Sequence, residues 1–309
     1  MPGRRRFTWR PVWTFRVAAA AVAAVPRRWL WPLAERVGTR FGPRLLPDRT
    51  AQLATHIRRV DPDLDETEAA AAAARGIGSY ARYWAESFRL PTMSAAAVDR
   101  GFVVTGYDRI EASLAAGVGP ILVLPHLGGW EWAAAWLNRV KHQQVTAVAE
   151  RLEPPELFDW FVSLRRSYGI DVVPLGPRAI AALVKAVRQR RIVCLLSDRD
   201  LSGTGVAVTF FGETTTLPAG PAVLARRTGA PLLPTAVYFR GPAHLAVVGP
   251  AVRADESLPL RDDVARMTQQ LAWAMEDLIG DAPDQWHLLE PNWPSDRAGY
   301  RTPIPAPAE

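Results

Sequence analysis

"GPILVLPHLGGWEWAAAW", residues 119–136, holds three different kinds of chain in eighteen residues. Residues 121–124 form a short unbroken apolar run of the sort a strand buried on both faces requires. Pro125 ends the run, and Gly128 and Gly129 let the backbone turn sharply. A helix is expected from Trp130. Strand, turn and helix in this order are half of a βαβ unit.

The same alternation continues on both sides. Strands are expected at residues 102–105, 121–124, 145–149, 171–174, 192–196, 206–210, 232–238 and 245–248. Helices are expected at 107–116, 130–140, 155–167, 178–190, 219–228 and 261–279. Short apolar strands separated by helices of ten or so residues imply an α/β fold, with a central, mostly parallel sheet flanked by helices. Upstream, residues 50–59 and 66–88 read as helices, the second carrying Tyr80, Tyr83, Trp84 and Phe88 at nearly helical spacing, as core contacts would be. The proline-rich tail from Pro283 reads as a loop that wraps the domain and then frays. No internal repeat or long linker interrupts the pattern. Residues 46–309 are therefore read as a single α/β domain.

Residues 1–45 are different in kind. The first 40 residues contain nine arginines and one acid, Glu35, a net charge of +8. The whole chain carries +6, so the remaining 269 residues sum to −2 and the body is not a general polyanion binder. Trp9, Trp13, Phe15, Trp29 and Trp31 are interleaved with these arginines. That is the composition of amphipathic helices lying in a membrane interface, where rings sit at headgroup depth and guanidinium groups meet anionic lipid. A signal peptide fits less well, because Arg27, Arg28 and Trp29 stand where a small-residue cleavage site belongs. The nine-residue run 17–25 is far shorter than the about 20 residues of a membrane span. Nothing downstream resembles a nucleic-acid module.

The chemistry concentrates in loops after strands. His126 and Glu131 are five apart and would face about 140° away from each other on a continuous helix, but the glycine turn lets Glu131 reach back to the ring. A carboxylate on one ring nitrogen fixes the tautomer and leaves the other nitrogen as a general base. The pattern equally fits a buried histidine at a helix N-terminus, with a glutamate favoured by the helix dipole. "AERLEPPELFDWFVSLRR", residues 149–166, supplies Glu150, Arg151 and Arg165, and "SDRD", residues 197–200, supplies Asp198, Arg199 and Asp200. Taken singly such groups are also ordinary solvated turns. Their placement on the edge implied for His126 raises them. Cys194, the one cysteine, lies within an apolar run and reads as a buried strand residue. No zinc-type Cys/His cluster appears, nor a Gly-x-Ser-x-Gly elbow, a Gly-x-Gly-x-x-Gly turn or a phosphate-cradling loop ending in Gly-Lys-Ser/Thr. His56, His142, His244 and His287 read as structural or surface residues.

"HLGGWE" is similar to the His-x4-Asp/Glu motif of glycerolipid acyltransferases. With residues 149–166, the block from Ser197 through "FFGETTTLPAG" and "QWHLLEPNW", residues 285–293, the chain resembles the lipid A biosynthesis acyltransferase branch. Within that branch it looks most like the actinobacterial members that acylate phosphatidylinositol mannosides. The resemblance implies a glycerolipid-acyltransferase-like sheet and transfer of a long acyl chain, typically palmitoyl, from acyl-CoA to the 6-hydroxyl of a mannose on a phosphatidylinositol mono- or dimannoside. It implies His126 as general base, Glu131 as its orienting partner, and Glu150, Arg165 and Asp200 on sugar or inositol-phosphate groups. Arg151, Asp198 and Arg199 join them as substrate-binding candidates, although the family often shows an acidic residue followed by Gln where this chain has "SDRD". Trp130, Trp132, Trp136 and Phe210 are candidates for an acyl groove, and core packing accounts for them equally well. No resident cofactor or metal is implied. The implied location is peripheral, on the cytoplasmic face of the cell membrane, where cytosolic acyl-CoA meets a lipid acceptor. An acyl-CoA thioesterase, another glycolipid acyltransferase and a non-catalytic lipid-binding protein are the competing readings.

Overall fold

The structure, a computed structural model, describes residues 12–201 and 203–297. Four helices come first, α1 (Val12–Ala24), α2 (Arg27–Leu45), α3 (Pro47–Val60) and α4 (Glu66–Arg89). They are followed by α5 (Ala95–Asp99), β1 (Phe102–Thr105), α6 (Tyr107–Ala115), β2 (Ile121–Leu124), α7 (Trp130–Arg139) and β3 (Val145–Ala149). Next are α8 (Pro155–Ser167), β4 (Ile170–Pro174), α9 (Ala179–Arg188), β5 (Ile192–Leu196), β6 (Val206–Phe210) and β7 (Glu213–Leu217). α10 (Gly220–Thr228), β8 (Leu232–Arg240), β9 (Ala243–Val248) and α11 (Leu260–Gly280) complete the order.

The α/β expectation holds. Seven strands form one sheet in the order β1-β9-β8-β2-β5-β3-β4. β8, β2, β5, β3 and β4 are mutually parallel, while β9 runs antiparallel to β8 and carries β1 with it. All four residues of β2 are buried because both faces of the sheet are covered. Leu122, Leu124 and Cys194 pack with Trp132 and Trp136, whereas Ile121, Val123 and Val193 pack with Leu183, Val187 and Met267. Burial pushes the Cys194 thiol up to about 12, so it is an inert core residue.

Two elements went unread. β7 is polar, "ETTTL", and owes its strand to antiparallel pairing with β6 through a two-residue turn, Phe211–Gly212, in which both residues have positive φ. α5 is five residues held by a Ser94 cap.

α1 and α2 form the N-terminal helices, broken at Pro26. The expectation for Trp9 and Arg4, Arg5, Arg6 and Arg10 falls outside the described residues, as does the tail beyond 297. α2 lies directly on α4 because Gly38 faces Gly78. A Cβ on Gly38 would stand 2.8 Å from the Gly78 Cα and 2.8 Å from the Ala81 Cβ. The segment after α11 is loop, as expected, and it is firmly bound: Trp286, Leu288 and Trp293 are all buried.

Candidate active site

Register assembles the site. β2 and β5 are parallel neighbours with Leu124 opposite Leu196. His126 and Asp198 each lie two residues beyond that pair and emerge side by side at the carboxyl edge. His126 Nδ1 is 2.6 Å from Asp198 Oδ1. The other carboxylate oxygen accepts the His126 backbone N–H at 3.0 Å and the Trp286 indole N–H at 2.8 Å. Asp198 is completely buried. Burial by itself would raise its carboxyl, but the charge and hydrogen bond of His126, followed by the Trp286 and backbone donors, hold it below the ordinary carboxylate range. An ionised carboxylate can only accept, so Nδ1 carries a proton, and in the neutral ring the lone pair is then on Nε2. No described residue hydrogen-bonds Nε2, and the ring is 35% exposed.

This corrects the expected pairing. The carboxylate on the His126 ring is Asp198, which was expected to contact substrate, and not Glu131. Glu131 starts α7 and points into the space between α7, α8 and α4, where Arg165 Nε donates to its Oε1 at 2.8 Å. Both side chains are largely buried, and burial that would lower the Arg165 guanidinium is outweighed by the Glu131 charge, so Arg165 is held charged. Arg165 also lies 5.8 Å from the Trp130 ring centroid. Burial raises the Tyr83 and Tyr168 hydroxyls beside this pair, and Glu131 adds to the effect. Glu131 Oε2 and the Tyr168 hydroxyl are buried with no hydrogen-bond partner among the described residues. The glycine turn that was expected to bring Glu131 back to His126 instead leaves it directed toward Arg165.

The glycine turn has a different task from the one expected. Gly128 adopts φ +56, and a Cβ there would stand 1.9 Å from the Val237 carbonyl. The backbone can therefore lie against β8, with the Gly129 N–H on Val237 O at 2.9 Å. On its other side it meets the C-terminal strap. Gly128 N–H donates to Gln285 O at 3.0 Å, Leu127 bridges to Trp286, and His287 N–H donates to His126 O at 2.7 Å.

That strap supplies a residue the sequence reading set aside. His287 is half-buried, bonds Ser79 Oγ through Nε2 at 2.9 Å and lines the same cavity as His126. Burial first, and the neighbouring His126 second, press its imidazole down to about 3, so it stays neutral. Its signal was present in the sequence, since residues 285–293 form one of the blocks that carry the family resemblance.

His126 opens onto a cavity of about 1220 Å³ that runs under the carboxyl edge of the sheet. Its apolar walls include Trp84, Trp130, Phe161, Leu175, Leu183 and Leu195, and its polar lining includes Glu150, Arg165, Arg199 and His287. Glu150 and Arg199 approach to 3.9 Å at an exposed mouth. Asp200 borders the cavity, but its carboxylate is committed to its own loop, accepting from Gly203 N–H, Gly205 N–H and Thr216 Oγ1. It shapes the wall and is not placed as a sugar ligand. Arg151 is exposed, stands over the Phe158 ring at 5.9 Å and does not line the cavity.

Of the four aromatic candidates for the groove, Trp130 alone lines it. Trp132 stacks on His244 at 4.2 Å and donates to Val98 O, and Trp136 donates to Asp99, so both belong to the core on the opposite side of α7. Phe210 is completely buried and stacks on Trp293 at 5.5 Å, because the alternation of β6 turns it toward α11 and the C-terminal strap. The histidines read as structural behave so in two cases: His56 is tied to Leu288 O and Asp296, and His244 to Glu86.

Residues 5–295 match the family described as bacterial lipid A biosynthesis acyltransferase. A phosphatidylinositol mannoside acyltransferase of Mycobacterium tuberculosis (strain CDC 1551 / Oshkosh) is 45% identical over 230 residues, covering 72% of this chain and 70% of the relative. Its counterpart in Mycolicibacterium smegmatis (strain ATCC 700084 / mc(2)155) is 40% identical over 228 residues, covering 73% of each.

Proposed function

This chain belongs to the bacterial lipid A biosynthesis acyltransferase family, and on that premise we propose that it moves a palmitoyl-length acyl chain from acyl-CoA to a mannose 6-hydroxyl of a phosphatidylinositol mono- or dimannoside. The observation that carries the reading is the His126–Asp198 pair in the wall of a largely apolar cavity, its Nε2 without a hydrogen-bond partner among the described residues.

In this mechanism His126 Nε2 takes the proton of the attacking hydroxyl while the alkoxide oxygen bonds to the thioester carbonyl carbon. Asp198 holds the ring in the base-competent tautomer and stabilises the imidazolium that forms. The tetrahedral oxyanion collapses, the carbon–sulfur bond breaks, and the thiolate leaves with the proton returned from His126. No covalent acyl-enzyme is needed. Arg165, Glu150 and Arg199 face the sugar and phosphate groups of the acceptor, with Glu131 fixing the position of Arg165. The acyl chain occupies the apolar part of the cavity, whose about 1220 Å³ exceeds the roughly 300–1,000 Å³ of ordinary small-molecule sites.

Attachment to an anionic membrane surface fits α2. Trp29, Leu33, Val37, Phe41 and Leu45 follow one another every four residues and are 47% to 75% exposed. Arg36, Arg40 and Arg44 form a second exposed row beside them. No helix among the described residues is long and apolar enough to cross a membrane. A row of rings and aliphatics flanked by arginines suits an interfacial position on the cytoplasmic leaflet, where acyl-CoA is available.

The test is acyl transfer from radiolabelled palmitoyl-CoA to phosphatidylinositol mannosides, with acylated glycolipid and free fatty acid separated by chromatography. The expected result is labelled glycolipid from the wild type and none from His126→Ala. Free fatty acid without glycolipid would replace this reading by a thioesterase, and undiminished product from His126→Ala would overturn the base.

A further inference from the structure

A second cavity lies behind α4. Tyr80, Tyr83 and Trp84 face the catalytic cavity, whereas Arg75, Ser79 and Arg82 follow one another on a different face of the same helix. This second face and α2 flank a crevice of about 1160 Å³ that Phe239, Gly241 and Gln285 also line. Among the described residues five arginines line it, Arg36, Arg40, Arg44, Arg75 and Arg82, against two carboxylates, Glu35 and Asp284.

The carboxylates are already engaged deep in the crevice or at its edge. Arg82 Nη1 meets Glu35 at 3.0 Å, Arg82 Nε meets Glu86 at 2.8 Å, and Arg75 Nε meets Asp284 at 3.0 Å. Arg36, Arg40 and Arg44 have no carboxylate partner among the described residues. Arg82 is 1% exposed and is held between the Trp31 and Phe239 rings, at 4.9 Å and 4.1 Å. Its Nη2 nevertheless has no hydrogen-bond acceptor among the described residues. A buried guanidinium with an orphaned amino group is costly unless an acceptor reaches it. A phosphate oxygen is the acceptor that planar guanidinium donors fit best.

We propose that this crevice is a second binding site, distinct from the catalytic cavity, for the phosphate of an anionic membrane lipid. The lipid source follows from α2 itself. The row from Trp29 to Leu45 that would enter the bilayer runs alongside Arg36, Arg40 and Arg44, which form the rim of the crevice. A headgroup at that depth meets the arginine row, and Arg82 is the donor at the inner end. The site stands independently of the acyl-transfer reading, because its occupant is bound and not transformed.

The test measures binding of dihexanoyl-phosphatidylglycerol, below its micelle concentration, to the full chain by calorimetry, beside inorganic phosphate and phosphatidylglycerol vesicles. Two variants are compared. Gly241→Asp puts a carboxylate into the crevice at φ +55, a conformation that Asp tolerates, with no atom within 4 Å of the new Cβ. Arg36→Gln/Arg40→Gln removes two exposed rim charges and leaves the fold untouched. Saturable one-to-one binding by the wild type is expected, weakened tenfold or more in both variants, with palmitoyl transfer to detergent-dissolved acceptor unchanged in Gly241→Asp. Wild-type affinity in Gly241→Asp, with transfer intact to show that it folds, would overturn the site. Should Gly241→Asp fail to fold, undiminished binding in the rim variant would do the same. Binding of inorganic phosphate as tight as that of the lipid would overturn the lipid assignment.

Discussion

Replacing Asp198 by Asn tests the centre of the site with a change of one atom. Three donors converge on the Asp198 carboxylate: His126 Nδ1 at 2.6 Å, the His126 backbone N–H at 3.0 Å and the Trp286 indole at 2.8 Å. An asparagine offers one carbonyl oxygen and one amino group. With its amino group toward Nδ1, the ring must accept there, which moves the proton to Nε2 and removes the base. With its amino group toward the other two donors, it meets N–H groups that cannot accept. The first arrangement leaves the two backbone and indole donors satisfied and is therefore favoured. Losing a positioned base costs roughly 10² to 10⁴ in rate, equivalent to about 2.7 to 5.4 kcal/mol of barrier. The expected outcome is a fall of that size in kcat/KM, measured by palmitoyl transfer, with KM for acyl-CoA little changed. Glu131→Gln is the contrast. It breaks the buried pair with Arg165, which costs on the order of 3–5 kcal/mol of stability, so its melting temperature falls. Asp198→Asn with near-wild-type turnover, beside an inactive Glu131→Gln of unchanged melting temperature, would refute this reasoning and return the ring to Glu131.

Three further outcomes follow from the geometry. The folded-state pKa of His287, about 3 against an ordinary value of 6.5, means the unfolded chain binds a proton more readily. Stability is then fully present above about 6.5 and is lost as pH falls toward about 3, at about 1.4 kcal/mol per unit; His287→Gln should flatten this part of a melting-temperature profile, and an equal slope in both proteins would refute it. Gly128→Ala must place a Cβ 1.9 Å from a carbonyl at φ +56, whereas Gly117→Ala at φ +83 meets nothing within 4 Å. The second should cost about 1–2 kcal/mol for the left-handed backbone alone and the first clearly more, by urea denaturation; equal costs would remove the packing role given to Gly128. Phe210→Ala should lose about 3–5 kcal/mol as a core truncation and keep its acyl-chain preference, while Trp130→Ala, in the cavity wall, alters that preference. A changed chain preference in Phe210→Ala would put Phe210 back in the groove.

Much of this molecule could be read in one dimension. Residues 121–124, 145–149 and 192–196 are strands because both sheet faces bury them, and contiguous apolar runs record that directly. The parallel orientation of these three strands could be inferred from the intervening helices, and it places His126, Glu150 and Asp198 at one edge. β7 escaped notice because a threonine-rich strand carries no apolar alternation, and its pairing partner supplies the structure. The groove candidates divided for a similar reason. Trp130 and Trp132 are two residues apart on one helix, and which of the two faces the cavity depends on the surface against which that helix rests.

The sequence alone therefore determined the α/β class, the edge on which the polar groups gather and the histidine at its centre, since each is written in local periodicity and in motifs of a few residues. Only the tertiary structure decided which carboxylate serves that histidine. His126 and Glu131 are five residues apart, yet a glycine turn against β8 separates them. His126 and Asp198 are 72 residues apart, and the adjacency of β2 and β5 in the sheet brings them within 2.6 Å. Strand order depends on the packing of the whole chain, and no short stretch of sequence encodes it.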